Sequence, residues 1–234
     1  MTEWKRKRFW TEAAVQAEDD GFTVALDGRV VQTPAKTPLH LPTRAMAEAV
    51  AQEWDAQEGE IDPLSMPVTR SANAALDKVV PQSDEVIAML AEYGDADLLC
   101  YRAEAPAELV RRQAEAWDPA LDWAAETYGA RLIPVQGVLH RPQDARVLAR
   151  LRAPLEAMSA FRIAAMHDLI SLSGSLVLGL AASEGWRDPE AVWRLSRLDE
   201  DWQEEQWGID EEAAAQAAHK RAAFLHAKRF FDLA

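Results

Sequence analysis

The apolar pattern of this chain changes period once, near Thr43, and that change limits the fold more than any other feature. Before it, Phe22-Thr23-Val24-Ala25-Leu26 alternates, Asp27-Gly28 follows, and Arg29-Val30-Val31-Gln32-Thr33 continues. Asp-Gly between two such runs signals a tight hairpin, because both central positions of the favoured turn need positive φ. Asp20-Gly21 implies an earlier strand near Val15, and Thr37 to Leu41 a further short one. Beyond Thr43 the apolar residues recur at helical spacing. The expected fold is α+β: a small N-terminal antiparallel β domain over residues 1–42, then a larger multi-helical domain over residues 43–234. A few short strands are marginal alone and need a surface to pack on.

Caps and prolines place the expected helices. Thr43 caps one that runs to about Gln57, with Met46, Val50 and Trp54 on one side. Others fall near 72–79 and after Ser83. Pro106 opens a helix bearing Leu109, Val110, Gln113 and Trp117, and Asp118-Pro119 reads as a fresh cap and start, with Asp118 as the cap. Helices over about 143–157 and 159–183 follow. Asp188-Pro189 starts one whose Ala191, Leu195, Leu198 and Trp202 form a single apolar stripe. The last covers about 210–231.

An apolar share of 49% suffices for a core. The balance of 39 acidic against 25 basic side chains sets a net charge of −14, which repels phosphate backbones and anionic lipid. Nucleic-acid and membrane partners are therefore disfavoured. Leu169 to Ala182 is apolar but too short to span a bilayer, and reads as core. The lone thiol, Cys100, excludes an internal disulfide, fits a reducing compartment, and sits among apolar neighbours as a structural residue. The basic run Lys5 to Arg8 is followed by no apolar segment, so no secretory signal is expected.

Catalytic patterns are sparse. The sequence has no glycine-rich phosphate loop, no His-Glu-x-x-His and no Cys-x-x-Cys, and Ser173-Gly174-Ser175 lacks the surroundings of a nucleophile elbow. The expectation is a protein that is not an enzyme, with no cofactor, no metal and no small-molecule substrate. The alternative is a helical metal-dependent phosphohydrolase, with His140, the pair His167-Asp168 and the distal Asp199 as ligands. His219 and His226 share a helix face but two ligands do not complete a site.

Tryptophan and acid are concentrated instead. Nine tryptophans are present. From Glu184 to Glu212, eleven acidic residues stand against three arginines, a net −8 and more than half of the chain's charge. Acids interleave with aromatics in Leu-Asp-Glu-Asp-Trp-Gln-Glu-Glu-Gln-Trp-Gly, residues 198–208. An acidic face beside aromatic anchors suits a basic, partly apolar protein surface. The candidate partner-binding residues are Asp199, Glu200 and Glu204 for electrostatic recognition, with Trp207 and Trp54 as anchors. Trp54 is expected to be substantially buried, joining its helix to the helical domain.

Several segments, taken in order, resemble one family. They are Arg8-Phe9-Trp10, Leu26-Asp27-Gly28-Arg29, Leu41-Pro42-Thr43-Arg44, Ala51 to Gln57, and Ile61-Asp62-Pro63. Asp97 to Arg102, Trp117-Asp118-Pro119, Gly174 to Leu178 and Leu198 to Gly208 continue the series. Together they resemble the assembly chaperones of F-type ATP synthase, of the ATP-twelve type. The resemblance implies a small β domain and a larger helical one, no cofactor and no turnover. It implies a partner, the unassembled alpha subunit of the catalytic sector, and a role in assembling the proton-transporting complex. The compact segment after Trp207-Gly208 favours a bacterial cytoplasmic member, since mitochondrial-matrix relatives carry a longer one.

Overall fold

The computed structural model describes residues 7–234. The chain divides into two compact units. The first takes in the chain through Ser83, together with Ser159–Ala164 and Phe230–Ala234; the second comprises Asp84–Met158 and Ala165–Arg229. Among the described residues, no helix is long and apolar enough to cross a membrane.

The first unit is built on a three-stranded antiparallel sheet in the order β1 (Ala13–Glu18), β2 (Gly21–Leu26), β3 (Arg29–Val30). β1 pairs with β2 from Ala13↔Leu26 to Glu18↔Gly21. The hairpin forms where the sequence places it: Asp27 and Gly28 both have positive φ, 46° and 81°. The Asp27 carboxylate also accepts the Glu12 and Thr11 backbone amides, at 3.0 and 3.1 Å, which holds its pKa below the ordinary value and ties the chain before β1 to the turn. Residues 37–41 do not extend the sheet as a strand; they make isolated bridges, Gln32↔Pro38 and Phe22↔Leu41.

Helix α1 (Arg44–Asp55) lies against β1 and β2 with Met46, Ala47 and Val50 fully buried. Thr43 caps it, accepting from the Met46 amide at 3.2 Å, and donates its hydroxyl to the Leu233 carbonyl. Helix α2 (Pro67–Ala74), extended by a wide turn over Ala75–Val79, has no side-chain cap of its own. The Glu53 carboxylate supplies one, accepting from the Val68 and Thr69 amides at 2.7 and 2.8 Å. α1 thus packs with the sheet and α2 with α1, and the first unit continues to Ser83 instead of ending near residue 42. Trp54 also differs from expectation. It is half-buried, and its ring meets the edge of Trp10 at 5.2 Å, so it joins α1 to the chain before β1 within this unit.

The second unit is helical, with one two-stranded parallel pair, β4 (Tyr101–Arg102) and β5 (Val135–Gln136). Its helices are α3 (Ser83–Glu92), α4 (Ala107–Tyr128), α5 (Ala145–Glu156), α6 (Ala160–Ser173), α7 (Leu176–Ser183), α8 (Pro189–Ser196), α9 (Leu198–Trp207) and α10 (Glu211–Leu233). The first residues of α6 and the last of α10 belong to the first unit. Every residue of α7 is buried.

Three expected boundaries moved. No new helix starts at Asp118-Pro119: α4 runs through Pro119 and ends at Gly129, whose φ of 64° suits the left-handed cap. Trp117, Ala120, Leu121 and Ala124 bury one stripe on both sides of the proline, and that packing outweighs the proline's cost of about 3 kcal/mol. Asp118 is accordingly not a cap; it pairs with Arg102 at 2.8 Å. The expected helix over 159–183 breaks at Gly174, φ 68°, where Ser175 caps α7 by accepting from the Leu178 amide at 2.9 Å. The helix from Pro189 breaks at Arg197, so Leu198 and Trp202 lie on a separate helix from Leu195.

Asp97 holds the entry to β4. Its side chain is fully buried and accepts from the Leu99 amide at 3.1 Å and the Val177 amide at 3.0 Å, joining the Leu98–Cys100 turn to the start of α7. Burial pushes its pKa up to about 6 despite those bonds. Cys100 beside it is buried, and desolvation raises its thiol to about 12, so it stays protonated.

Candidate functional site

A trough of about 1000 Å³ opens in the second unit. One wall is the extended segment from Tyr101 to Pro106, a second is the loop Gln136–Leu139, and the start of α4 and the outer face of α9 complete it. The rim is unusually apolar for a surface: Val138 is 90% exposed, Leu139 82% and Trp207 79%. Large exposed apolar side chains grouped around a concavity mark interaction sites.

Asp199 is fixed in this trough by a relay. Gln113, 2% exposed, donates from Nε2 to Asp199 Oδ1 at 2.7 Å and accepts the Ala103 backbone amide on Oε1 at 2.8 Å. One buried amide therefore joins α9, α4 and the wall segment. Trp202 beneath is 8% exposed. Arg102 faces the same space, but its guanidinium pairs with Asp118, donates to the Leu99 carbonyl at 2.8 Å and lies 5.3 Å over the Trp117 ring. Its charge is thus balanced within the wall. Glu104, exposed on the wall, lies close to Gly137: a Cβ on that glycine would meet Glu104 Oε1 at 3.1 Å.

The loop wall is pinned at its base. The Gln143 side chain exchanges hydrogen bonds with the Ile133 backbone at 2.9 and 3.0 Å, and Asp95 accepts the Gln143 amide at 2.7 Å. Asp95 also meets His140 at 3.2 Å, and His140 is hydrogen-bonded to the Tyr101 hydroxyl at 3.1 Å. The apolar tip at Val138 and Leu139 is exposed while its root is held.

Of the five candidate binding residues, Asp199 and Trp207 line this trough. Glu200 and Glu204 turn to Arg197, at 2.9 and 3.8 Å, and Glu204 lines a smaller cleft of about 220 Å³ with Glu190, Trp193 and Arg221. In that cleft burial raises the pKa of Asp201 above the ordinary value. Trp54 belongs to the first unit, packed on Trp10. Sequence reasoning missed Glu104, Val138 and Leu139, which lie on two irregular segments with no periodicity to read. Gln113 was legible only as a polar residue inside an apolar stripe.

The four residues of the phosphohydrolase alternative are not assembled. His140 is bonded to Asp95 and Tyr101, His167 and Asp168 meet each other at 2.9 Å, and Asp199 is held by Gln113. Among the described residues, no three His, Cys, Asp or Glu side chains are grouped to hold a metal ion.

Comparison with known proteins places this architecture. The profile of the family described as ATP12 chaperone protein matches residues 7–125. The mitochondrial protein atp12 of Schizosaccharomyces pombe is 24% identical over 219 residues, covering 88% of this chain and 75% of that protein. The crystal structure of Atp12 from Paracoccus denitrificans superposes with a TM-score of 0.96 at 52% identity, over 99% of each chain. The Atu1473 protein of Agrobacterium tumefaciens superposes with a TM-score of 0.92 at 42% identity, over 97% of this chain and 85% of that one. The chain belongs to the ATP12 chaperone family.

Proposed function

We propose that this chaperone holds the unassembled alpha subunit of the catalytic sector of F-type ATP synthase and releases it during assembly of the complex, in the bacterial cytoplasm and without a cofactor or turnover. The observation that carries the reading is the trough around Asp199, an acidic and aromatic concavity with an exposed apolar rim. A subunit awaiting its neighbours exposes apolar and basic surface that aggregates when left uncovered. A binder of that surface suppresses aggregation and is displaced by the final neighbour, because two binders of one surface exclude each other. Asp199 and Trp207 are the proposed direct contacts. Glu200 and Glu204 are proposed to add to the acidic field that attracts a basic client, and Trp54 to serve the first unit's packing.

The experiment is capture of separately purified alpha subunit. Wild-type chaperone should keep it soluble on warming and elute with it as a complex. Trp207→Ala should weaken capture about tenfold or more, in the range of an interface hot spot at about 2 kcal/mol, with unchanged melting because the side chain is exposed. Equal aggregation of the alpha subunit with and without the chaperone would end this reading.

A further inference from the structure

We infer that the trough takes an extended segment of the client carrying one lysine or arginine directed at Asp199, flanked by apolar side chains that lie on the Val138–Leu139 and Trp207 rims. This rests on the holdase reading of the same surface.

Charge selects the cation. Arg102 is neutralised by Asp118, which leaves Glu104 and Asp199 as the uncompensated charges of the lining. Gln113 occupies Asp199 Oδ1 and thereby orients the carboxylate of this lining residue, which leaves Oδ2 for the occupant. A positioned carboxylate with apolar surroundings favours a charge-assisted hydrogen bond from an ammonium or guanidinium. A phosphate-bearing ligand would meet repulsion from both acids.

Shape selects an extended chain. Small-molecule sites run to roughly 300–1000 Å³ and enclose their ligand. This trough reaches the upper limit and is open, with Val138, Leu139 and Trp207 of its rim each more than three-quarters exposed. Three positions along the wall are closed to backbone pairing by an incoming chain. The Arg102 carbonyl accepts the Gly137 amide at 2.9 Å, the Ala103 amide is taken by Gln113, and Pro106 has no N–H. Side-chain amides add to recognition of the client backbone. Gln136, Gln203 and Gln206 are all exposed on the lining, each with a donor and an acceptor. Such groups bind any peptide backbone, so specificity comes from the cation and its apolar flanks.

Fluorescence anisotropy with dye-labelled nine-residue peptides tests this on the full chain. The probe is Gly-Ser-Leu-Val-Lys-Val-Leu-Ser-Gly, against the same peptide with glutamate in place of lysine. The lysine peptide should bind at least tenfold more tightly. Asp199→Asn should remove most of that preference and still fold, since its amide oxygen accepts from Gln113. Leu139→Ser should weaken the lysine peptide about fivefold, while Leu64→Ser, an exposed apolar change in the first unit, should not. Absence of saturable binding to wild type, or equal binding of both peptides, would overturn the inference. So would an Asp199→Asn variant that binds like wild type. Competition separates the two readings. Alpha subunit that displaces the lysine peptide supports both. Alpha subunit captured normally by Asp199→Asn and Leu139→Ser overturns the trough and leaves the holdase standing. Peptide selectivity as described, without capture of alpha subunit, overturns the holdase and leaves the trough as a site for basic segments.

Discussion

Asp97 couples one buried carboxylate to the stability of the second unit. Its pKa is about 6 in the folded chain, against an ordinary 3.8. Between those values the folded state binds more protons than the unfolded one, so stability falls as pH rises. The contribution is fully present below about 3.8 and is lost as pH rises through about 6. A shift of this size corresponds to about 3 kcal/mol at most. Wild type should therefore lose up to about 3 kcal/mol of stability relative to Asp97→Asn from pH 4 to pH 7, as read by urea unfolding; a constant difference would show that the carboxylate does not titrate in this range. Trp54 acts at the same scale in the first unit. Its ring meets Trp10 edge to face at 5.2 Å. A double-mutant cycle with Trp10→Ala and Trp54→Ala should return a coupling of about 0.5–1.5 kcal/mol; additive losses would mean that the rings pack independently.

At the scale of elements, the acidic helix is not the freely solvated face that its spacing suggests. The break at Arg197 turns that guanidinium, 17% exposed, toward Glu200 and Glu204 of α9. Replacing both acids with lysine would set two cations against Arg197. Glu200→Lys with Glu204→Lys should therefore lower stability by about 1 kcal/mol, given how weak surface pairs are, and Tm by about 2–4 °C for a chain of this size. An unchanged thermal melt would show that the pairs contribute nothing. Helix α4 supports an opposite change. Pro119 sits inside it and leaves the Glu115 carbonyl without its helical donor. Pro119→Ala restores that bond, and the gain should exceed the roughly 0.4–1 kcal/mol lost through a more flexible unfolded chain. A rise in the urea midpoint is the expected result.

For the molecule as a whole, the net charge of −14 governs encounter more than affinity. If the client surface is basic, association with alpha subunit should slow as salt rises from about 50 to 500 mM, where screening shortens from over 10 Å to a few ångströms. Dissociation should change much less. Stopped-flow measurement at two ionic strengths checks this, and a salt-independent association rate would remove charge from the mechanism.

The sequence by itself determined the order of the architecture. The Asp27-Gly28 turn and the change of period and helix cap at Thr43 are local matters, decided by a few adjacent backbone and side-chain groups. It also located the acidic and aromatic residues from which Asp199 and Trp207 come. Tertiary structure alone decided which helices run through a proline and which break at an arginine, because that balance is struck between local cost and burial such as that of Trp117. It alone carried α1 and α2 into the first unit, since α1 packs on β1, β2 and Trp10 and α2 packs on α1. The trough belongs to the same class: it joins Ala103, Gln113, Gly137 and Asp199 through hydrogen bonds and walls that no local pattern records. Contacts between residues so far apart in the chain leave no periodic trace, because each depends on where the intervening elements pack.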